Sequence, residues 1–466
     1  MFSITRAAMV CGAAAALLLS AGTTAIGQLQ PSQIDTIRRQ NKAEVDANSP
    51  LADRLFVKTK TRYYILIQEL RVPQPRMRTS DFKDTDFFHP SRPNQLVDPN
   101  NPNLPLSVTT RPLAFGGATL VVPLPERTAG SVFQRGTFEA RLSLDGIDVI
   151  NLKPGQEPPY VQGPSGSRYA AFAFPAGAEG RRMNLTMRVP VAVSSLAMDE
   201  RVVPEVKWPA QGDAWPADAK SALEPEFLVE YQNDRSEIAE NQAAIDALLK
   251  RWLGGADPKA SGPIELAREL TGYVMGEVNF ANDMEYFGEG NYIVGLRTQT
   301  VSKTLADRRG TEAQVAQLLV AVLRRVGLPA RTVFGVDLED RRKQDDRDRT
   351  RGSKANLRAW AEFAVLDPKT KQAVWIPIDI RRQRQASSQA PRPNVAWRFV
   401  GNHEDMEYLI PIAFHMHPPI DASQYSRPNL CGWQSATMAT PGHFSGLRFS
   451  VLSQNSADRD KNNPRP

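Results

Sequence analysis

DRRGTEAQVAQLLVAVLRRVGLPAR, from Asp307 to Arg331, is the stretch that decides the fold. Its residues Val315, Leu318, Leu319, Val322, Leu323 and Val326 recur in steps of three and four, which draws one apolar stripe along an α-helix. Thr311 is suited to the N-cap, and Gln314 three residues on completes a capping box. Gly327 stands where a helix turns left-handed at its end, and Leu328-Pro329 cannot continue it. Local chemistry therefore sets both ends.

Four neighbouring segments give that helix its setting. Gly310-Thr311 precedes it, Gly327-Leu328-Pro329-Ala330-Arg331 closes it, and Arg358-Ala359-Trp360-Ala361-Glu362 and Trp375-Ile376-Pro377-Ile378-Asp379 follow as strand-like runs. Together they resemble the transglutaminase-like superfamily, papain-type enzymes with a Cys–His–Asp triad. In that family a Gly-x-Cys turn opens the helix, the histidine sits in a His-Ala-Trp-x-Glu strand, and the aspartate closes a Trp-x-Pro-x-Asp strand. The resemblance puts Glu312 at the cysteine position, Arg358 at the histidine position and Asp379 at the aspartate position. It implies a cleft lined by Glu312, Arg358, Trp360 and Asp379. A carboxylate cannot replace a thiolate in acyl transfer, and an arginine that stays protonated cannot serve as general base. The resemblance thus argues for the fold and against the family's activity.

The chain has 466 residues and a formal net charge of +6, enough for two or three domains with their own cores. Its start reads as a signal peptide over 1–27. Arg6 provides the positive region, Ala13 to Leu19 the apolar region, and Ala25-Ile26-Gly27 a small-residue cleavage site before Gln28. Ser20, Thr23 and Thr24 interrupt too early for a membrane span. An exported protein, periplasmic or extracellular, is expected.

A polar lead-in follows over 28–55, with a helix expected over Ile34 to Val45. From residue 56 the pattern turns to strands. Phe138, Ala140, Leu142 and Leu144 alternate with polar residues, as do Met183, Leu185, Met187 and Val189. Arg62–Leu70, Ala118–Val122 and Tyr169–Phe174 are further strand candidates, and the Pro-, Asp- and Asn-rich run from Arg71 to Pro112 is a loop. Residues 56–225 thus read as an antiparallel β-sandwich-like domain. Helices fit Ser236–Leu253 and Pro263–Val278, and Val301–Ala306 is expected to run on into the central helix. Strands then fit Thr332–Val336, Arg358–Leu366 and Val374–Ile380. The fold class is therefore α+β. The resemblance implies that 226–400 is a transglutaminase-like, papain-like core, and that such a β domain can precede it. Strands of 401–452 are expected to pack on that core, and 453–466, polar and charged, reads as a disordered tail.

Other constellations are weaker. Cys431 is the one cysteine left after the signal peptide, so no intramolecular disulfide can form, and it reads as a small buried residue. His415 and His417 would share a strand face, but no third ligand has a recognisable spacing, so neither a metal nor a cofactor is expected. A Glu312–Asp379 acid/base pair is disfavoured, because an intervening arginine holds both carboxylates ionised. Asp337 to Arg351 balances acidic and basic residues and reads as a solvated loop, with a lid as the alternative. Arg381, Arg382 and Arg384 make a basic cluster that could meet an anionic polymer or simply be solvated. No nucleic-acid motif accompanies it.

Three classes of function follow. The favoured one is a non-catalytic protein that binds a peptide, protein or envelope polymer through the cleft or the β domain. The others are a hydrolase or transferase with chemistry rebuilt around Glu312, Asp379 or Cys431, and a purely structural envelope protein.

Overall fold

Strand alternation and helical periodicity meet in a layered α+β structure. The computed structural model describes residues 49–72, 88–89, 92–98, 101–105, 113–124, 127–133, 138–180, 182–210, 214–230, 236–281, 286–289, 292–338, 350–352, 357–414, 429–434 and 446–453. The expected signal peptide, the expected lead-in helix, most of 337–351, His415, His417 and the expected tail beyond residue 453 lie outside these, whereas 88–89, 92–98 and 101–105, within the run expected to be a loop, are strands of a small three-stranded sheet. Residues 50–466 form one compact unit and 1–49 another, of which only Ser49 is described. Among the described residues no helix is long and apolar enough to cross a membrane.

The β half is built on β1 (Phe56–Val72), in which Tyr64, Leu66, Leu70 and Val72 are buried in alternation with more exposed neighbours. It is followed by β2 (Thr119–Leu124), β3 (Glu139–Leu144), β4 (Ile147–Leu152), β5 (Tyr160–Gln162), β6 (Arg168–Ala173) and β7 (Met183–Met198). β1 pairs antiparallel with β7 along its whole length, from Phe56 opposite Met198 to Val72 opposite Met183. β5, β6 and β2 form a second sheet. Leu66, Leu142 and Leu185 of the first sheet meet Leu120, Val122 and Phe172 of the second in one apolar cluster, the arrangement of a β-sandwich.

The helical half contains α1 (Glu237–Leu253), α2 (Pro263–Glu277), β8 (Tyr286–Glu289), β9 (Tyr292–Leu296), α3 (Val301–Asp307) and α4 (Glu312–Arg325). The expected ends of α4 are present. Thr311 accepts from the Gln314 N–H, the Gln314 side chain accepts from the Thr311 N–H, and Gly327 has φ 88°. The helix is buried along almost its whole length rather than on one stripe, because helices cover it on one side and a sheet on the other. Its buried Arg324 is satisfied by the Ala222 and Ala330 carbonyls and by Glu230. α3 does not run on into α4. Arg308 turns left-handed at φ 48°, and Arg309–Gly310 pairs with Asn279–Phe280 before Thr311 caps the new helix.

The core sheet follows as β10 (Ala330–Asp337), β11 (Leu357–Leu366) and β12 (Ala373–Ile378), then α5 (Ile380–Ala386), β13 (Leu409–Ala413), β14 (Gly432–Gln434) and β15 (Gly446–Ser453). Its order is β12-β11-β10-β13, all antiparallel. The third strand stops at Ile378, two residues short of the expected Ile380, because Asp379 accepts the Arg382 N–H and caps α5.

The described strands of 401–452 divide between the core sheet and the two sheets of the sandwich. Among the described strands in 401–452, β13 alone joins the core sheet. β14 pairs with β2, placing Trp433 against Phe174 with centroids 5.9 Å apart. β15 pairs with β1 over Tyr64–Arg71, so the end of the chain completes the large sandwich sheet in the order β8-β9-β15-β1-β7-β3-β4. The physical reason is the open edge of β1, whose backbone groups β15 satisfies. Phe334, Ala359 and Ile410 of the core sheet also enter the sandwich's apolar cluster, so the two halves share buried surface.

Candidate functional site

Four chain segments end at one point, and each delivers a charge there. Glu312 is the first residue of α4, where the macrodipole favours an anion by about 0.3–1 kcal/mol. Arg358 comes from the start of β11, Asp337 from the end of β10, and Asp379 from the turn between β12 and α5. Arg358 Nε donates to Glu312 Oε1 at 2.5 Å and Nη1 to Asp337 Oδ2 at 2.7 Å. Its Nη2 donates to Asp379 Oδ2 at 3.0 Å and Oδ1 at 3.2 Å. Each guanidinium nitrogen thus faces a carboxylate. The side chains of Glu312, Arg358 and Asp379 are 2, 9 and 1 % exposed, so water hardly screens them.

The network extends in two directions. Arg381 Nη1 donates to Glu312 Oε2 at 2.6 Å from a side chain 45 % exposed. Arg382 is buried and joins Asp405 at 3.0 Å to Asp337 at 3.4 Å. His403 Nε2 donates to Asp379 Oδ2 at 3.2 Å, with its ring edge-on to Phe399. Burial alone pushes the Asp379 carboxyl up, but Arg358, His403 and the Arg382 N–H together hold it well below the usual carboxylate range. Burial likewise opposes the charge on Arg358, yet Glu312, Asp379 and Asp337 raise its pKa further, so it stays a cation.

Glu312, Arg358 and Asp379 therefore meet as parts of one ion network. The basic run, for which contact with an anionic polymer and simple solvation were both open, lies on α5, with Arg382 turned inward and Arg381 at the rim. Trp360, expected to line a cleft, is buried against Val333, Met406, Leu409 and Phe414. Cys431 is buried in the sandwich cluster, where burial pushes its thiol up to about 12. Asp337, Arg382, Asp405 and His403 were not identified as site residues from sequence. Asp337 stood at the edge of a charged run and Arg382 within a basic one, while Asp405 and His403 have no spacing that links them to the helix.

Two residues of the recognisable segments form a second buried pair. Arg331 Nε and Nη2 donate to Glu362 Oε2 at 3.0 and 2.7 Å, and the guanidinium lies 3.8 Å from the Trp375 ring centroid and 3.9 Å from that of Phe414. It also donates to the Ser165 and Arg127 carbonyls, tying the sandwich loops to the core sheet.

Residues 250–380 match the profile of the family described as the Transglutaminase-like superfamily. Among solved structures, a candidate cysteine protease from Cytophaga hutchinsonii is similar at 12% identity and TM-score 0.39, over 85% of this chain and 100% of that one. The periplasmic domain of TgpA from Pseudomonas aeruginosa is similar at 15% identity and TM-score 0.23, over 61% of this chain and 96% of that one. Red sea bream transglutaminase is similar at 14% identity and TM-score 0.22, over 55% of this chain and 48% of that one. No curated protein matches the chain. Residues 250–380 of this chain are a transglutaminase-like domain.

Proposed function

We propose that this is an exported, non-catalytic transglutaminase-like protein that binds a peptide, protein or other envelope component. In this reading 1–27 is a signal peptide, 56–225 a β-sandwich-like domain and 226–400 the core, whose triad positions now hold charge rather than perform chemistry. One observation carries it. Arg358, at the position the resemblance gives to the general base, is held by Glu312, Asp337 and Asp379 at once. A guanidinium so held can neither accept a proton nor activate a nucleophile. Cys431, buried elsewhere and with a raised pKa, is not poised as a replacement thiolate.

The test is turnover by the purified chain on glutamine- and lysine-bearing peptides with a small amine donor, followed by mass spectrometry. No cross-linking, deamidation or cleavage is expected. Turnover that disappears in Cys431→Ala or Asp379→Asn would replace the binding reading by one of rebuilt catalysis.

A further inference from the structure

Beside the ion network stand two further arginines, Arg309 and Arg384, that meet no carboxylate among the described residues. Arg381 has Glu312 as its carboxylate partner, and Glu312 is shared with the buried Arg358. One turn along α5, Arg384 is half-buried and donates to the Val278 carbonyl at 2.5 Å and to Asn279 Oδ1 at 2.7 Å. Its guanidinium lies 5.8 Å from the centroid of the half-buried Phe280 ring, and it meets no carboxylate among the described residues. Asn279 pairs with Arg309 in the short parallel ladder before α4. Laddered partners place their side chains on the same face, so exposed Arg309 stands beside the Asn279 amide that Arg384 holds. Arg309 likewise has no carboxylate among the described residues. Gly310 and Thr311 then lead straight into Glu312, which closes the circuit back to Arg381.

Arg309, Arg381 and Arg384 thus stand around the short ladder and the turn that lead into the 14-residue helix α4. Planar forks of this kind bind carboxylates in bidentate fashion. The steps also fit a chain. Residues one helical turn apart lie about 5–6 Å from each other, and alternate residues of an extended peptide lie about 6.5–7 Å apart. Phe280, half-buried against the helical core and partly covered by Arg384, leaves an apolar edge beside that arginine, which a polypeptide with interleaved apolar side chains can use and a polyphosphate cannot.

We propose that Arg309, Arg381 and Arg384, with Phe280, form a docking surface for an extended acidic segment of a partner protein. This rests on the reading of the chain as a binding protein and names the chemistry of what it binds.

The test is fluorescence anisotropy at low salt, using the full chain and a labelled peptide of alternating Glu and Val. Arg381 is left intact because it also holds Glu312. Wild type should bind, and binding should weaken as salt rises. Arg309→Ala and Arg384→Ala should each weaken it about 10-fold, close to the effect of about 1.4 kcal/mol. Arg308→Ala, whose guanidinium pairs with Glu277 at 3.4 Å, should leave it unchanged. Unaltered urea midpoints would confirm that the variants fold. Failure of wild type to bind the acidic peptide overturns the proposal, as does binding that both arginine variants retain. Tighter binding of a polyphosphate of matched charge overturns the choice of a peptide. The turnover assay on the same preparation judges the non-catalytic reading separately, whichever way the anisotropy falls.

Discussion

Replacing Glu312 by Gln and Arg358 by Met, singly and together, asks whether these two buried residues act as one unit. The structure makes the two single changes unequal. Glu312→Gln leaves Arg358 with Asp337 and Asp379, and leaves Arg381 exposed enough for water to take over. Its cost should be that of one charged hydrogen bond lost in a buried site, about 1.5–3 kcal/mol. Arg358→Met strips a cation from three buried carboxylates at once, and should cost about 3–5 kcal/mol, the range for leaving buried charge unpaired. In the double variant the Glu312 charge is gone when the cation is lost, so the combined cost should fall below the sum by about 1–3 kcal/mol. Urea unfolding at pH 7, with midpoint and slope fitted for all four proteins, measures this coupling. A coupling of zero within error would refute the idea that Glu312 and Arg358 act as a pair.

Three further outcomes follow from the same structure. Glu362→Gln should destabilise by about 3–5 kcal/mol, because Arg331 is buried between two rings with Glu362 as its close anionic partner; a cost under about 1 kcal/mol would contradict this. Asp379 has a depressed pKa in the folded state, so its contribution is present above the unfolded value near 3.9 and lost as pH falls through the folded one. The stability gap between wild type and Asp379→Asn should therefore narrow as pH falls from about 5 to 3, and a gap independent of pH would contradict it. Cys431 should resist a maleimide in the folded chain and react on unfolding in urea, whereas rapid labelling without denaturant would place it at the surface.

How much of this was legible in sequence depends on the range of the interaction. The ends of α4 were, because Thr311, Gln314 and Gly327 act on backbone groups within a few residues. So were the strands with two-residue alternation, such as β3 and β7, since each records which face is buried. The meeting of Glu312, Arg358 and Asp379 followed from the order of the recognisable segments. Asp337, Asp405 and His403 were not legible, because they converge from the ends of separate elements and nothing local marks the direction of an acidic or imidazole side chain. Arg382 shows the same limit. It sits between Arg381 and Arg384 in sequence, but the Asp379 cap starts a helix that turns it inward and its neighbours to the rim. The pairing of β15 with β1 was hidden for a different reason: an alternating strand declares its buried face, not its partner.

The most direct test of the central claim is the intact mass of the folded chain after prolonged incubation with acyl-donor peptides. Acyl transfer of the family's kind must pass through a covalent acyl intermediate on the protein. With Arg358 locked among three carboxylates and Cys431 buried in the sandwich, the expected spectrum is that of the unmodified chain. An acyl adduct on the folded protein that is absent from Cys431→Ala or Glu312→Gln would contradict the claim and locate the nucleophile.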